Sequence, residues 1–349
     1  MVDLEPCIQG SVNGMTLAPQ KGHGFVLGKF MPPHQGHVAL CEFARAYCEN
    51  LTILVCSLEG DPIPGHLRYA WMSQMFPTCQ VKWCTEDLPQ LPEDHPDFWA
   101  IWSDVVSRYA GEVGFIFTGE PYGRKLAEAV NAVFVPLDRN GGWNPVSATA
   151  VRANPFGHWD DIPGIVRPYY VGRVCIVGPE STGKTHLANA LAASFNTICV
   201  PEYGRLYTET FGLDLDDQDL LRIAHGQWAS AAAAKVQANR IQIEDTDPVL
   251  TAVWAEMLLG SVPPQLTRFS ELADLYVLCD VDVPWVNDGT RYFPGAQDRQ
   301  RFGDLCERAL RSRRAHFVVA NGGWEERQRI AEAAIRQTFP GLGRGKGTN

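Results

Sequence analysis

The sequence predicts an α/β protein of two domains, each a parallel sheet covered by helices. Three observations carry this expectation. The chain has 349 residues, enough for two ordinary domains with separate cores. From Gly24 onward, short β-rich runs alternate with longer stretches of helical periodicity. Near Tyr170 the alternation starts again on a glycine-rich turn.

Taken in order, "GFVLGKF" reads as a strand and "HVALCEFARAYC" as a helix with apolar residues at helical spacing. "LTILVCSL" is a strand, "LRYAWMSQMF" a helix and "EVGFIFTGE" a strand; "GRKLAEAVNA" and "AVFVPLD" follow as helix and strand. "GRVCIVGPESTGKTHLANALAASF" then reads as strand, turn and helix, with further strands in "NTICVPE", "IQIEDTDPVLT", "DLYVLCD" and "AHFVVAN". The Pro-, Gly- and aromatic-rich "NPFGHWDDIPGIVRPYY" reads as a connection, and no internal repeat is seen. The expected organisation is a flexible tail over 1–22, a domain over 23–153, a connection over 154–170, a domain over 171–340 and a flexible tail over 341–349.

Composition narrows the function. A hydrophobic share of 45% with 20% charged residues is that of a soluble globular protein. The net charge of −10 argues against a general nucleic-acid or membrane surface, so neither nucleic-acid binding nor membrane insertion is expected. No signal peptide or spanning apolar run is read, and the ten scattered cysteines form no CxxC pair. Reduced thiols and a cytoplasmic location are the expectation.

"GPESTGKT" fits G-x-x-x-x-G-K-[ST] between a strand and a helix. Such a loop turns backbone N–H groups and a helix N-terminus toward phosphate oxygens. Gly178, Glu180, Ser181, Thr182, Gly183, Lys184 and Thr185 are therefore expected to bind ATP, Lys184 at the β- and γ-phosphates and Thr185 at Mg²⁺. Asp245 and Asp247 lie two apart on an extended run, so both carboxylates are expected at the phosphate edge. One would order the metal shell and the other take a hydroxyl proton. After the next strand, "PEYGRLY" offers Glu202 for sugar hydroxyls, Tyr203 for packing and Arg205 for phosphate charge. Trp228 in "HGQW" is a candidate stacking platform, and "VPWVNDGTRYF" carries Asp288 and Arg291 in a lid-like loop.

"GKFMPPHQGH" raises three readings. A zinc site lacks a third ligand at recognisable spacing. Turn chemistry explains the prolines and glycine, not paired histidines. A triphosphate site explains all of them, with Gly36 permitting close approach and the imidazoles of His34 and His37 donating hydrogen bonds.

"HQGH" resembles the (H/T)xGH signature of the nucleotidyltransferase superfamily, and "VSATAVR" (Ser147, Thr149, Arg152) resembles its second signature. With "FTGEPYG", the connection, the P-loop, "EYGR" and "PWVNDG", the chain from about Gly24 to Ala334 resembles NadR-type proteins. The resemblance implies a Rossmann-like nucleotidyltransferase followed by a P-loop ribosylnicotinamide kinase. It implies ATP as co-substrate, Mg²⁺, nicotinamide riboside, nicotinamide mononucleotide and NAD as ligands, and a role in NAD biosynthesis and salvage. Gly28, Lys29, Phe30, His34, Gly36, His37, Ser147, Thr149 and Arg152 would bind the transferase ATP, with Lys29, His34, His37 and Arg152 catalytic. Lys184, Asp245 and Asp247 would be catalytic in the kinase; Glu202, Tyr203, Arg205, Trp228 and Asp288 would hold the riboside.

The chain departs from that pattern at Ala148, where relatives often have Ser or Gly, and at Pro201, where some carry a stacking tryptophan. It also shows about twenty unpatterned residues where some members have a DNA-binding helix-turn-helix. Two alternatives stand beside this reading: a bifunctional coenzyme A synthase and a non-catalytic nucleotide-sensing regulator. A homo-oligomer is left open.

Overall fold

The structure is a computed structural model that describes residues 18–119, 122–137, 146–284, 292–293 and 295–342. The chain divides into two compact units, Met1–Val146 and Ser147–Asn349.

The first unit is a five-stranded parallel sheet of β1 (Gln20–Gly28), β2 (Cys48–Cys56), β3 (Gln80–Cys84), β4 (Phe115–Thr118) and β5 (Val133–Pro136), in the order β3-β2-β1-β4-β5. Strand alternation sends Val26, Ile53, Val55 and Phe117 to one core and Phe25, Leu54 and Ile116 to the other. The helix Phe98–Ala110 closes the second core with Phe98, Trp102, Val105 and Val106, spaced for one helical face. Strand order reverses between β1 and β4, and the carboxyl ends beside that reversal are where open α/β sheets bind ligands.

The second unit repeats the plan with β6 (Gly172–Val177), β7 (Cys199–Val200), β8 (Ile241–Asp245), β9 (Leu275–Cys279) and β10 (Phe317–Ala320), in the order β10-β9-β6-β8-β7. All its ladders are parallel. β6 is central, so the loop that leaves it opens between the ends of β8 and β9.

Three expectations change here. β1 begins at Gln20, inside the stretch expected as a tail. β3 and the Phe98–Ala110 helix appear where no element was read. The stretch 154–170 packs onto the second unit: Arg240 donates to the Phe156 carbonyl at 3.0 Å, and its guanidinium sits near the Trp159 ring. Among the described residues no helix is long and apolar enough to cross a membrane.

Candidate functional site

In the second unit the phosphate-type loop leaves β6 through Gly178 at φ +140°. A Cβ there would come 2.7 Å from the Cys279 carbonyl, so only glycine fits. Gly183, at φ +80°, caps the helix Lys184–Ser194 and lies against the Trp324 ring. The Lys184 ammonium donates to the Pro179 carbonyl at 3.0 Å, which also accepts from the Thr182 hydroxyl at 2.7 Å. Arg327, buried, donates to the carbonyls of Thr182, Gly322 and Asp280 and pairs with Asp282, fixing the loop from behind. Sequence reading missed Arg327, whose surroundings in "WEERQRI" look like any amphipathic helix.

Thr185 Oγ1 donates to Asp245 Oδ2 at 2.5 Å, while Asp245 Oδ1 is buried with no hydrogen-bond partner among the described residues. Burial raises the Asp245 carboxyl above 3.8, opposed by Lys184, Thr185 and Arg205. This hydroxyl and carboxylate pair of hard oxygen donors fits a divalent cation such as Mg²⁺.

Asp247 corrects the expectation of paired carboxylates. Thr246 stands at φ +78°, so the chain turns instead of alternating, and Asp247 swings away from the phosphate edge. It caps the helix Pro248–Leu259, accepting from Val249 N–H at 2.9 Å, and it accepts from the Tyr276 hydroxyl at 2.5 Å. Both partners are buried, which makes Asp247 a structural group.

A cavity of about 400 Å³ joins the loop to an apolar recess. Glu180, Ser181, Gly183, Lys184 and Thr185 line it at the loop; Glu202 and Arg205 add charge; Leu220, Ile223, Leu250, Trp254 and Tyr292 supply apolar wall. Glu180 accepts from the backbone N–H groups of Tyr292 (3.1 Å) and Phe293 (2.6 Å), so it anchors that segment. Asp288 and Arg291 lie outside the described residues.

Tyr203 and Trp228 do not line this cavity. Tyr203 opens the helix Tyr203–Phe211 and packs on Gly226 in a separate surface groove. Trp228 is 43% exposed and donates to Glu271 at 2.7 Å, away from the recess. Its neighbour Gln227 faces the cavity, because successive helix positions diverge by about 100°. The recess tryptophan is Trp254, which sequence reading missed: its helix is apolar all round and reads as plain core.

In the first unit, β1 leads through Gly28 and Lys29 to a histidine-capped helix, Gln35–Tyr47. His34 Nδ1 accepts from Gly36 N–H at 3.1 Å, and His37 Nδ1 accepts from His34 N–H at 3.3 Å. Both rings therefore carry their proton on Nε2. Burial, then His34, holds His37 well below the usual 6.5, so it is neutral at pH 7. Phe30 is buried, its ring edge on His37 with centroids 5.0 Å apart, which makes its side chain a support for the site. Beside Gly28 and the exposed Lys29 lies a slot of about 130 Å³ walled by Phe98, Trp99 and Trp102. Arg68, fully buried and unread in the sequence, ties this region together. It donates to the Lys29 and Cys56 carbonyls at 2.6 and 3.2 Å and to Asp61 at 2.5 Å.

Ser147, Thr149 and Arg152 fall in the second unit. Ser147 caps the helix Ala148–Ala153 through Ala150 N–H, and Arg152 donates to the Thr149 hydroxyl at 3.1 Å.

A family model described as an AAA domain matches residues 173–327. The chain is 29% identical to the trifunctional NAD biosynthesis/regulator protein NadR of Salmonella typhimurium over 326 residues, covering 86% of this chain and 78% of that one. The NadR of Escherichia coli matches to the same extent. A crystal structure of a NadR protein in complex with NAD and AMP-PNP superimposes with a TM-score of 0.76 at 22% identity, covering 96% of this chain and all of that one. A NadR protein in complex with NR gives 0.75 at 22% identity, covering 93% and 98%. In sequence the chain is similar to NadR proteins of NAD biosynthesis and regulation, and its pair of parallel α/β units shares their fold.

Proposed function

We propose that the second unit phosphorylates nicotinamide riboside with ATP and that the first unit adenylylates the product to NAD. The observation that carries the kinase reading is the continuous cavity, with Lys184, Thr185 and the phosphate loop at one part and an aromatic recess with Glu202 at the other. In the first step the riboside 5′-oxygen bonds to the γ-phosphorus as the bond to ADP breaks, and the hydroxyl proton passes to solvent. Lys184 and Arg205 spread the developing charge, and Asp245 orients the hydroxyl. Thr185 and Asp245 would hold Mg²⁺, which neutralises phosphate charge when bound. Trp254 and Tyr292 offer faces to the nicotinamide ring.

In the second step a phosphate oxygen of nicotinamide mononucleotide attacks the α-phosphorus of ATP, and pyrophosphate leaves. The nucleophile is already anionic, so positioning and charge stabilisation suffice. His34 and His37 donate from Nε2–H, Lys29 adds charge, and the Trp99 slot suits the flat nicotinamide ring.

The acceptor assignment is tested by steady-state kinetics. Trp254→Ala should raise KM for nicotinamide riboside about tenfold or more, since one lost stack is worth about 1–3 kcal/mol. Trp228→Ala should leave it within about twofold, as expected of a surface position. ATP turnover with phosphopantetheine and not with the riboside would select the coenzyme A synthase reading instead.

A further inference from the structure

We propose that Gln227 sets the acceptor specificity of the kinase cavity by donating its side-chain amide to a ribose hydroxyl oxygen of the nucleoside. The inference rests on the kinase reading above and adds a residue to it.

Gln227 lies on the helix Asp217–Ala234 and is 1% exposed, yet it lines the cavity. Its orientation is fixed by one bond. The backbone N–H of Tyr203 donates to Gln227 Oε1 at 2.7 Å, and an N–H can be satisfied only by an acceptor. The amide nitrogen therefore faces the other way, where it has no hydrogen-bond partner among the described residues. A buried amide donor left unmade is costly, and a purely structural cap for Tyr203 N–H would not need it. An acceptor atom on the bound substrate removes that cost.

The surroundings identify which acceptor. Leu220, Ile223 and Gln227 occupy one face of the helix at spacings of three and four, and all line the cavity. Gln227 is the polar member of that row, and its bond to Tyr203 puts it beside Glu202, the residue before Tyr203, which also lines the cavity. A carboxylate that accepts next to an amide that donates complements a vicinal diol. One hydroxyl donates a hydrogen bond to Glu202, and a hydroxyl oxygen accepts one from the Gln227 amide. The flat nicotinamide ring of the substrate finds its complement in the aromatic recess.

The test compares wild type with Gln227→Glu and Gln227→Met on nicotinamide riboside and on its 2′-deoxy and 3′-deoxy analogues. Gln227→Glu keeps size and an acceptor for Tyr203 N–H while replacing the donor, so folding should be preserved. Wild type should favour the riboside over at least one deoxy analogue by about tenfold or more, the cost of an unmade buried bond. In Gln227→Glu that preference should fall to within about twofold, KM for the riboside should rise and KM for ATP should stay unchanged. Lowering the pH should partly restore the preference in Gln227→Glu, because a protonated carboxyl again donates. Gln227→Met should lose the preference at every pH.

A variant that keeps the full deoxy preference overturns the proposal while leaving the kinase reading intact. So does a preference that moves instead to the carboxamide, seen with a riboside carrying a carboxylate there. Wild type that fails to phosphorylate the riboside at all overturns the kinase reading and takes this inference with it.

Discussion

Lys184→Ala should lower kcat/KM for riboside phosphorylation by about 10²- to 10³-fold, the usual cost of removing one group aimed at developing charge. The unfolding midpoint should barely move. Lys184 makes its hydrogen bond to the Pro179 carbonyl, and the Thr182 hydroxyl still satisfies that carbonyl after truncation. The loop itself is held by Gly178, Gly183 and Arg327, none of which depends on the lysine. Lys184→Arg should not rescue the rate, because a planar guanidinium cannot stand in for a compact ammonium within a closed loop. Single-turnover kinetics with calorimetry on the same samples separates the effects. A loss below about fivefold would mean that the phosphate loop is not where transfer occurs.

Asp245 and Asp247 should separate chemistry from stability. Asp247→Ala removes the cap of the Pro248–Leu259 helix and leaves the buried Tyr276 hydroxyl without its acceptor. Together these should cost about 2–4 kcal/mol of stability, from about 1 for the cap and about 1–3 for the orphaned hydroxyl. Asp245→Asn should fold normally and lose about 100-fold or more in kinase turnover. Denaturant unfolding and phosphorylation rates on both variants check the pair.

The pH dependence follows from the same burial. Burial raises Asp247 from 3.8 to about 6, partly opposed by the Tyr276 hydroxyl. As pH rises, the unfolded chain releases this proton first, so the group's contribution is complete below 3.8 and declines until the pH passes about 6. Asp247→Asn should remove that decline.

The aspartates also show where the sequence was legible. "GPESTGKT" could be read because its glycines and lysine act through local backbone geometry that eight consecutive residues specify. The histidine pair stood out for the same reason, although its capping exchange did not show in the sequence. Asp247 was misread because alternation assumes extended backbone, and the left-handed Thr246 breaks it. Trp228 was misread because one helix position separates the outward face from the inward one, and Gln227 holds the inward face. Trp254, Arg68 and Arg327 act through contacts distant in sequence, and their local segments resemble ordinary amphipathic or apolar helix. β3 escaped notice because an exposed edge strand of five residues has only a weak alternating pattern.

The proposed function divides labour between two units acting in sequence on one substrate. Its most direct test is a product-resolved time course with MgATP and nicotinamide riboside, using wild type, Lys184→Ala and His37→Ala. Wild type should give mononucleotide and ADP first, then NAD and pyrophosphate. Lys184→Ala should form neither product from the riboside, yet make NAD when given the mononucleotide. His37→Ala should stop at the mononucleotide. Lys184→Ala that still makes NAD from the riboside, or wild type that leaves both riboside and ATP untouched, would contradict the account.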